Sequence, residues 1–178
     1  MNAIELLTQD HRAVEKLFAD FDADPGDDRQ EILARIIRDL SIHTAIEEAY
    51  LYPRVRQEMP IARAHVNSGA HELEEIKESL ARLDESVASA HTKDVADQVA
   101  TLKKKTAHHA DEAERELFPA IAMVARKREL DDLGHAMQRA KRSAPTRPHP
   151  KQQAANAFMM RANGIVDRAR DAVAGRAR

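Results

Sequence analysis

Three polar side chains lie where a helical pattern expects apolar ones, and their types suit metal coordination. His11 falls within the apolar repeat of the N-terminal segment, and His43 and Glu47 fall within that of the next. A four-residue spacing places His43 and Glu47 on one helical face, in adjacent turns. Such groups facing a core are costly unless they are paired or bind a metal. A single inward histidine is more often an ordinary core residue, but three such groups on two helices indicate a metal site.

The elements that must position these groups are amphipathic helices. Apolar residues recur at three- and four-residue steps, which is the helical period. Pro53 and Pro119 are expected to end the second and fourth helices, because proline interrupts helical hydrogen bonding. Long helices with short connections predict an all-α, up-down antiparallel four-helix bundle with a short fifth helix. The predicted spans are about 3–22, 28–52, 60–90 and 92–118, followed by a shorter stretch to 142.

Composition limits the classes of fold and of site. The chain has 178 residues and no cysteine, which excludes disulfides, thiolate metal sites and cysteine nucleophiles. Charged residues make up 33% and aromatic residues 3%, a balance that favours helices over sheets. Because thiolates are absent, the nine histidines are the notable source of metal ligands, through their imidazoles.

The charge of the chain bears on its partners and its compartment. A net charge of −2 argues against a general or specific nucleic-acid binder. No apolar run approaches the roughly 20 residues that a transmembrane helix needs. The first residues lack the basic and apolar regions of a signal peptide. We therefore expect a cytoplasmic protein.

Prolines and basic residues set the C-terminal region apart. Residues 143–178 contain seven lysines and arginines against two aspartates, and prolines at 145, 148 and 150 oppose a helix there. The predicted domains are a folded bundle over 1–142 and a Pro-containing linker with a basic tail over 143–178. Apolar residues of the tail have helical spacing. A helix that docks on the bundle, on a partner or on an anionic surface, and an unstructured tail, both stay open.

Two motifs resemble each other and together point to a family. The first runs from His43-Thr-Ala-Ile-Glu47-Glu48 to Leu51-Tyr52-Pro53, and the second from His108-His109 to Leu117-Phe118-Pro119. In each, a histidine lies ten residues before the proline, and Asp10-His11 precedes both. Residues 1–142 resemble the hemerythrin-like (HHE) cation-binding family. The stretch from 144 to 150 and the later Val-Asp-Arg-Ala-Arg-Asp are similar to the ending of actinobacterial members.

The resemblance implies a ligand set, with two departures from it. The family pattern is His, HxxxE, His and HxxxE on four successive helices, which hold two non-haem irons bridged by carboxylates. Leu73 occupies the expected position of the third-helix histidine, and Ala113 that of the fourth-helix carboxylate. The retained set would hold one metal more naturally than two. The residues that match the pattern are His11, His43, Glu47 and His109.

Neighbouring side chains are candidates for the two missing ligand positions. Helical periodicity puts Glu72 about 60° from the core direction and His71 toward solvent. A rotation of the fourth helix would bring in the HxxxE pair of that helix. The tyrosine one turn after Glu47 is either a ligand of ferric iron or a bundle-end residue with its hydroxyl in water. The further candidates are Tyr50, His71, Glu72, His108, Glu112 and Glu114.

Two functions follow as expectations. The first is non-haem iron binding, with one or two irons in an incomplete diiron site that handles or senses O₂ or peroxide. The second is a metal-free interaction module that acts through the fifth helix and the basic tail. Catalysis, the physiological ligand and the oligomeric state stay open.

Overall fold

The computed structural model describes residues 1–26, 28–87, 92–150, 164–168 and 170–171. Helices dominate this part of the chain, and no strand occurs in it. The helices are α1 (Ala3–Ala23), α2 (Arg29–Ile46), α3 (Tyr52–Glu58), α4 (Arg63–Ser86), α5 (Lys93–Glu112), α6 (Phe118–Val124) and α7 (Lys127–Ala140). A short 3₁₀ turn, Pro60–Ala62, precedes α4.

Four long helices form the bundle, as the sequence predicted. The α1 helix packs on α2 and α5, and α4 packs on the same two helices, so the four enclose one core. The fifth predicted helix corresponds to α7, which packs on α1. Asn2 begins α1 with a capping box, and Thr92 caps α5 through its hydroxyl. The all-α bundle is therefore confirmed.

The prolines do not end their helices, and this expectation was wrong. Five-residue π-turns, Glu47–Leu51 and Ala113–Leu117, carry α2 into α3 and α5 into α6. Pro53 and Pro119 are then the second residues of α3 and α6, and the helical path continues through them. Glu47 and Ala113, the first residues of the two π-turns, are both buried in the core.

The two departures from the family pattern lie in that core. Leu73 is fully buried and Ala113 is 3% exposed, so both face the interior as periodicity predicted. Each gives the bundle apolar contact in place of a ligand atom.

The described part of the C-terminal extension contacts the bundle. The Arg147 guanidinium donates to Asp84 at 2.7 Å and to Asp171. Asp167 is buried and accepts from the backbone N–H groups of Thr146 and Arg147. Residues 151–163 and 172–178, which carry much of the proposed tail helix, lie outside the described residues. The domain boundary near 142 stays a prediction.

Deleting residues 145–178 is expected to leave the bundle folded. The helices that supply the core lie before this point, and the lost ion pairs lie within the extension or join Arg147 to Asp84. We expect an unchanged helical circular dichroism spectrum and a Tm lower by only about 2–8 °C. A truncated protein that no longer unfolds cooperatively would show that the extension belongs to the core.

The length and hydropathy of the helices bear on whether one could cross a membrane. None of those in the described ranges combines the length and the apolar character that a bilayer crossing needs.

Candidate metal centre

Four side chains from three bundle helices and one π-turn meet in the core. His11 comes from the middle of α1, His43 from the last turn of α2, and His109 from the last turn of α5. Glu47 is the first residue of the π-turn after α2. All four are buried, and one ligand atom of each lies within 4.8 Å of the others. These are the four residues that the sequence pattern singled out.

The spacing of these atoms suits a shared ion. The Nε2 atom of His109 lies 3.1 Å from a Glu47 oxygen, and the Nε2 atom of His43 lies 3.6 Å from the same oxygen. Two donors on one ion, each bonded at about 2.0–2.2 Å, lie roughly 3 to 3.5 Å apart. With small side-chain adjustments, all four ligand atoms would reach one ion.

A carboxylate faces the outer nitrogen of each imidazole. Metal-binding histidines commonly donate the second ring N–H to such a group, which fixes the tautomer and the ring orientation. Lys141, just beyond the end of α7, in turn holds the Asp10 carboxylate. The Nδ1 pairs are His11–Glu114 at 2.9 Å, His109–Glu72 at 3.0 Å and His43–Asp10 at 3.7 Å.

Several inward atoms of the cluster have no hydrogen-bond partner within the described part of the chain. They are His11 Nε2, His43 Nε2 and Glu47 Oε1, and all are buried. A buried polar atom without a partner costs about 1–3 kcal/mol. A cation at the centre would satisfy all three atoms at once, which makes the donor set a good fit for a metal.

Tyr52, and not Tyr50, is the buried tyrosine on this side of the core. Tyr52 is 1% exposed, and its hydroxyl finds no partner among the described residues, whereas Tyr50 is only half-buried. A Cβ on Gly69 would lie 2.7 Å from the Tyr52 hydroxyl and 3.9 Å from His109 Cε1, so the missing side chain gives the tyrosine its room. Periodicity gives the direction of Tyr50 only for a regular helix, whereas the π-turn adds a residue and changes the phase after Glu47.

Charge is distributed unevenly over the cluster. Burial raises the pKa of Glu47, but the nearby His43 and His109 lower it by more, so that the pKa falls to about 2. Burial lowers the pKa of His109, and Glu47 and Glu72 overcome this and raise it to about 9. Burial and the neighbouring His43 lower the pKa of His11 to about 4. Without a metal at pH 7, a His109 cation therefore faces a Glu47 anion.

Metal binding is expected to release a proton from His109. At neutral pH the His109 cation must lose its Nε2 proton to bind, whereas His11 and Glu47 are already deprotonated. Between about pH 7 and 9 the affinity for Zn²⁺ should rise roughly tenfold per pH unit, and it should level off above. Calorimetry in buffers of different ionisation enthalpy measures the release. An affinity that is constant over this range would contradict the assignment.

A cavity of about 280 Å³ joins the cluster to the surface. Its inner wall includes His11 and His43, and its middle is apolar, with Phe18 among the lining side chains. The exposed Arg12 lies at its outer part, where its guanidinium donates to Glu114 at 2.7 Å. The cavity is therefore the candidate route between α1 and α5 for a small molecule to the cluster.

The structure separates the remaining candidates. His71 is 80% exposed and pairs with Glu75, in agreement with its predicted direction. Glu72 and Glu114 reach the outer nitrogens of the cluster histidines, as described above. A second group at the surface contains Glu72, His108 and Glu112.

The sequence and the fold both have counterparts among known proteins. Residues 2–121 match the family model described as hemerythrin HHE cation binding domain. The chain belongs to this family. The crystal structure of a hemerythrin HHE cation-binding domain-containing protein from Mycobacterium kansasii is similar, with a TM-score of 0.67 and 24% identity over 80% of this chain and 86% of that chain. Among curated proteins, none matches the sequence. The predicted family and fold are therefore confirmed.

Proposed function

We propose that this hemerythrin-like protein binds one non-haem iron and handles or senses O₂ or peroxide there, in the cytoplasm. The ligands are His11, His43, Glu47 and His109. The observation that carries the proposal is the buried cluster of inward nitrogen and oxygen atoms without partners, each imidazole being backed by a carboxylate. Membership of a cation-binding family supports it.

The donor set favours a single metal of the first transition row. Imidazole and carboxylate ligands suit iron, and zinc and manganese are accepted by similar sites. Leu73 and Ala113 leave the third and fourth helices without the ligands that a second, carboxylate-bridged iron requires. A bound iron would supply the redox chemistry that O₂ or peroxide needs.

The other residues of the site control access and position. The core buries the cluster and limits water, and the cavity past Arg12 admits a small molecule. Glu114 and Glu72 hold the His11 and His109 imidazoles through their outer nitrogens, and Asp10 faces the outer nitrogen of His43 at 3.7 Å. A metal-free interaction module is the competing function, and metal content decides between the two.

Tyr52 is the fifth donor in this proposal. Burial and the charges of Glu47 and Glu72 raise the pKa of its hydroxyl well above the usual value, so the metal-free protein keeps the phenol neutral. A ferric ion in the cluster would compensate these charges and favour the phenolate.

Ferric protein is expected to show a visible phenolate-to-iron absorption band that depends on Tyr52. Tyr52→Phe should lose the band and retain the iron, because four other ligands remain. Tyr50→Phe is the matched control, since the chain has only two tyrosines, and it should keep the band. Absorption spectra of the two iron-loaded variants test this. A band that survives in Tyr52→Phe would remove Tyr52 from the ligand set.

A further inference from the structure

A second polar group lies on the surface, where α4 and α5 pack together. It consists of Glu72, His108 and Glu112, whose ligand atoms lie within 4.8 Å of one another. The Nε2 atom of His108 is 3.6 Å from a Glu112 oxygen and 3.9 Å from a Glu72 oxygen. The Ser68 hydroxyl donates toward both carboxylates, at 3.4 and 3.5 Å. Three donors thus converge with a hydroxyl beside them.

Glu72 connects this surface group to the buried cluster. One oxygen of its carboxylate faces Ser68 and His108, and the other accepts from Nδ1 of His109 at 3.0 Å. The same side chain therefore belongs to the surface group and orients a proposed ligand of the interior.

A narrow space runs between the two groups. Glu72 and Glu112 line it from the surface side, and His109 and Tyr52 line it from the interior. Its volume of about 10 Å³ holds roughly one water molecule or one small ion. The buried Tyr52 hydroxyl, which has no partner among the described residues, is part of its wall. The Tyr52 hydroxyl is therefore an oxygen donor on the inner side of the surface group.

We propose that Glu72, His108 and Glu112 bind a divalent cation at the surface and pass it inward to the buried cluster. Imidazole with two carboxylates suits Mn²⁺, Fe²⁺, Co²⁺ or Zn²⁺. The transfer rests on the proposed function of the buried cluster, whereas the surface binding does not. The 280 Å³ cavity lies on the other side of the core, between α1 and α5, so cation entry and small-molecule access use different routes.

Cobalt titration of the full-length protein tests both parts. Co²⁺ is paramagnetic, so surface binding should broaden the His108 ring resonances first, before those of His11 and His43. Filling of the buried cluster is followed separately, by the visible absorption of bound cobalt. The double variant His108→Ala with Glu112→Gln should weaken surface binding, and slow the filling of the buried cluster, by roughly tenfold or more. Its final content of buried cobalt should equal that of the wild type.

The control is His71→Ala with Glu75→Gln, which removes an exposed histidine–glutamate pair of the same spacing from α4. This variant should bind and fill as the wild type does. Broadening of all histidine resonances at the same cobalt concentration would overturn the surface site. Filling of the buried cluster in the double variant at the wild-type rate would overturn the transfer role. Broadening of His108 with no cobalt in the buried cluster would instead overturn the transfer and the proposed function, and would support the surface site alone.

Discussion

His43→Ala is expected to abolish metal binding while the bundle stays folded. The substitution removes one of the three imidazole ligands, and of His43 and His109, which both lie near the Glu47 carboxylate, it leaves only His109. Losing a ligand costs more than losing a supporting partner, which typically weakens metal affinity 10- to 100-fold. Elemental analysis of the purified variant should find little or no iron.

The same variant separates a metal effect from a packing effect. A ligand present at about 100 times its Kd stabilises the native state by roughly 2.7 kcal/mol. His43→Ala should lose this metal-dependent stabilisation, while its metal-free form unfolds close to the metal-free wild type. His71→Ala is the control, because His71 is exposed, and it should retain metal. Wild-type iron content in His43→Ala would place the site elsewhere.

Restoring both missing ligands is expected to raise the metal content toward two per chain. Leu73→His with Ala113→Glu returns a histidine to α4 and a carboxylate to the second π-turn, and both positions face the core. Glutamate is larger than alanine, and overpacking of a core typically costs about 1–3 kcal/mol. We therefore expect a metal-free protein of lower Tm that gains more than the wild type from added iron.

The controls for this variant isolate the carboxylate. Leu73→His with Ala113→Gln keeps the size of the new side chain but removes its charge, so it should stay near one metal. A charged double variant that also stays near one metal, although it folds, would show that the lost ligands do not explain the incomplete site.

Much of the cluster could be predicted from helical periodicity, because a polar residue within an apolar stripe of a helix must point toward the core. His11, His43 and Glu47 lie inside for this reason, and the outward direction of His71 follows from the same rule. The bundle itself follows from the same stripes. Periodicity fails where the helix is not regular. The π-turn after α2 therefore brought Tyr52 inward, where the sequence argument expected Tyr50.

Contacts between segments that are distant along the chain could not be predicted from the sequence either. Asp10 faces His43 and is held by Lys141, which is 131 residues away along the chain. No local pattern predicts such a pairing, because it depends on how α7 packs on α1. The role of Glu72 as a partner of His109 likewise depends on the packing of α4 on α5.

The metal content per chain, measured on full-length protein purified without chelator and then saturated with Fe²⁺ under anaerobic conditions, tests the central claim most directly. Three imidazoles, one carboxylate and the Tyr52 hydroxyl around a single centre predict about one tightly bound iron per chain. Two irons per chain, with the spectrum of a carboxylate-bridged diiron centre, would contradict the single-metal site. A protein without bound iron would contradict metal binding altogether.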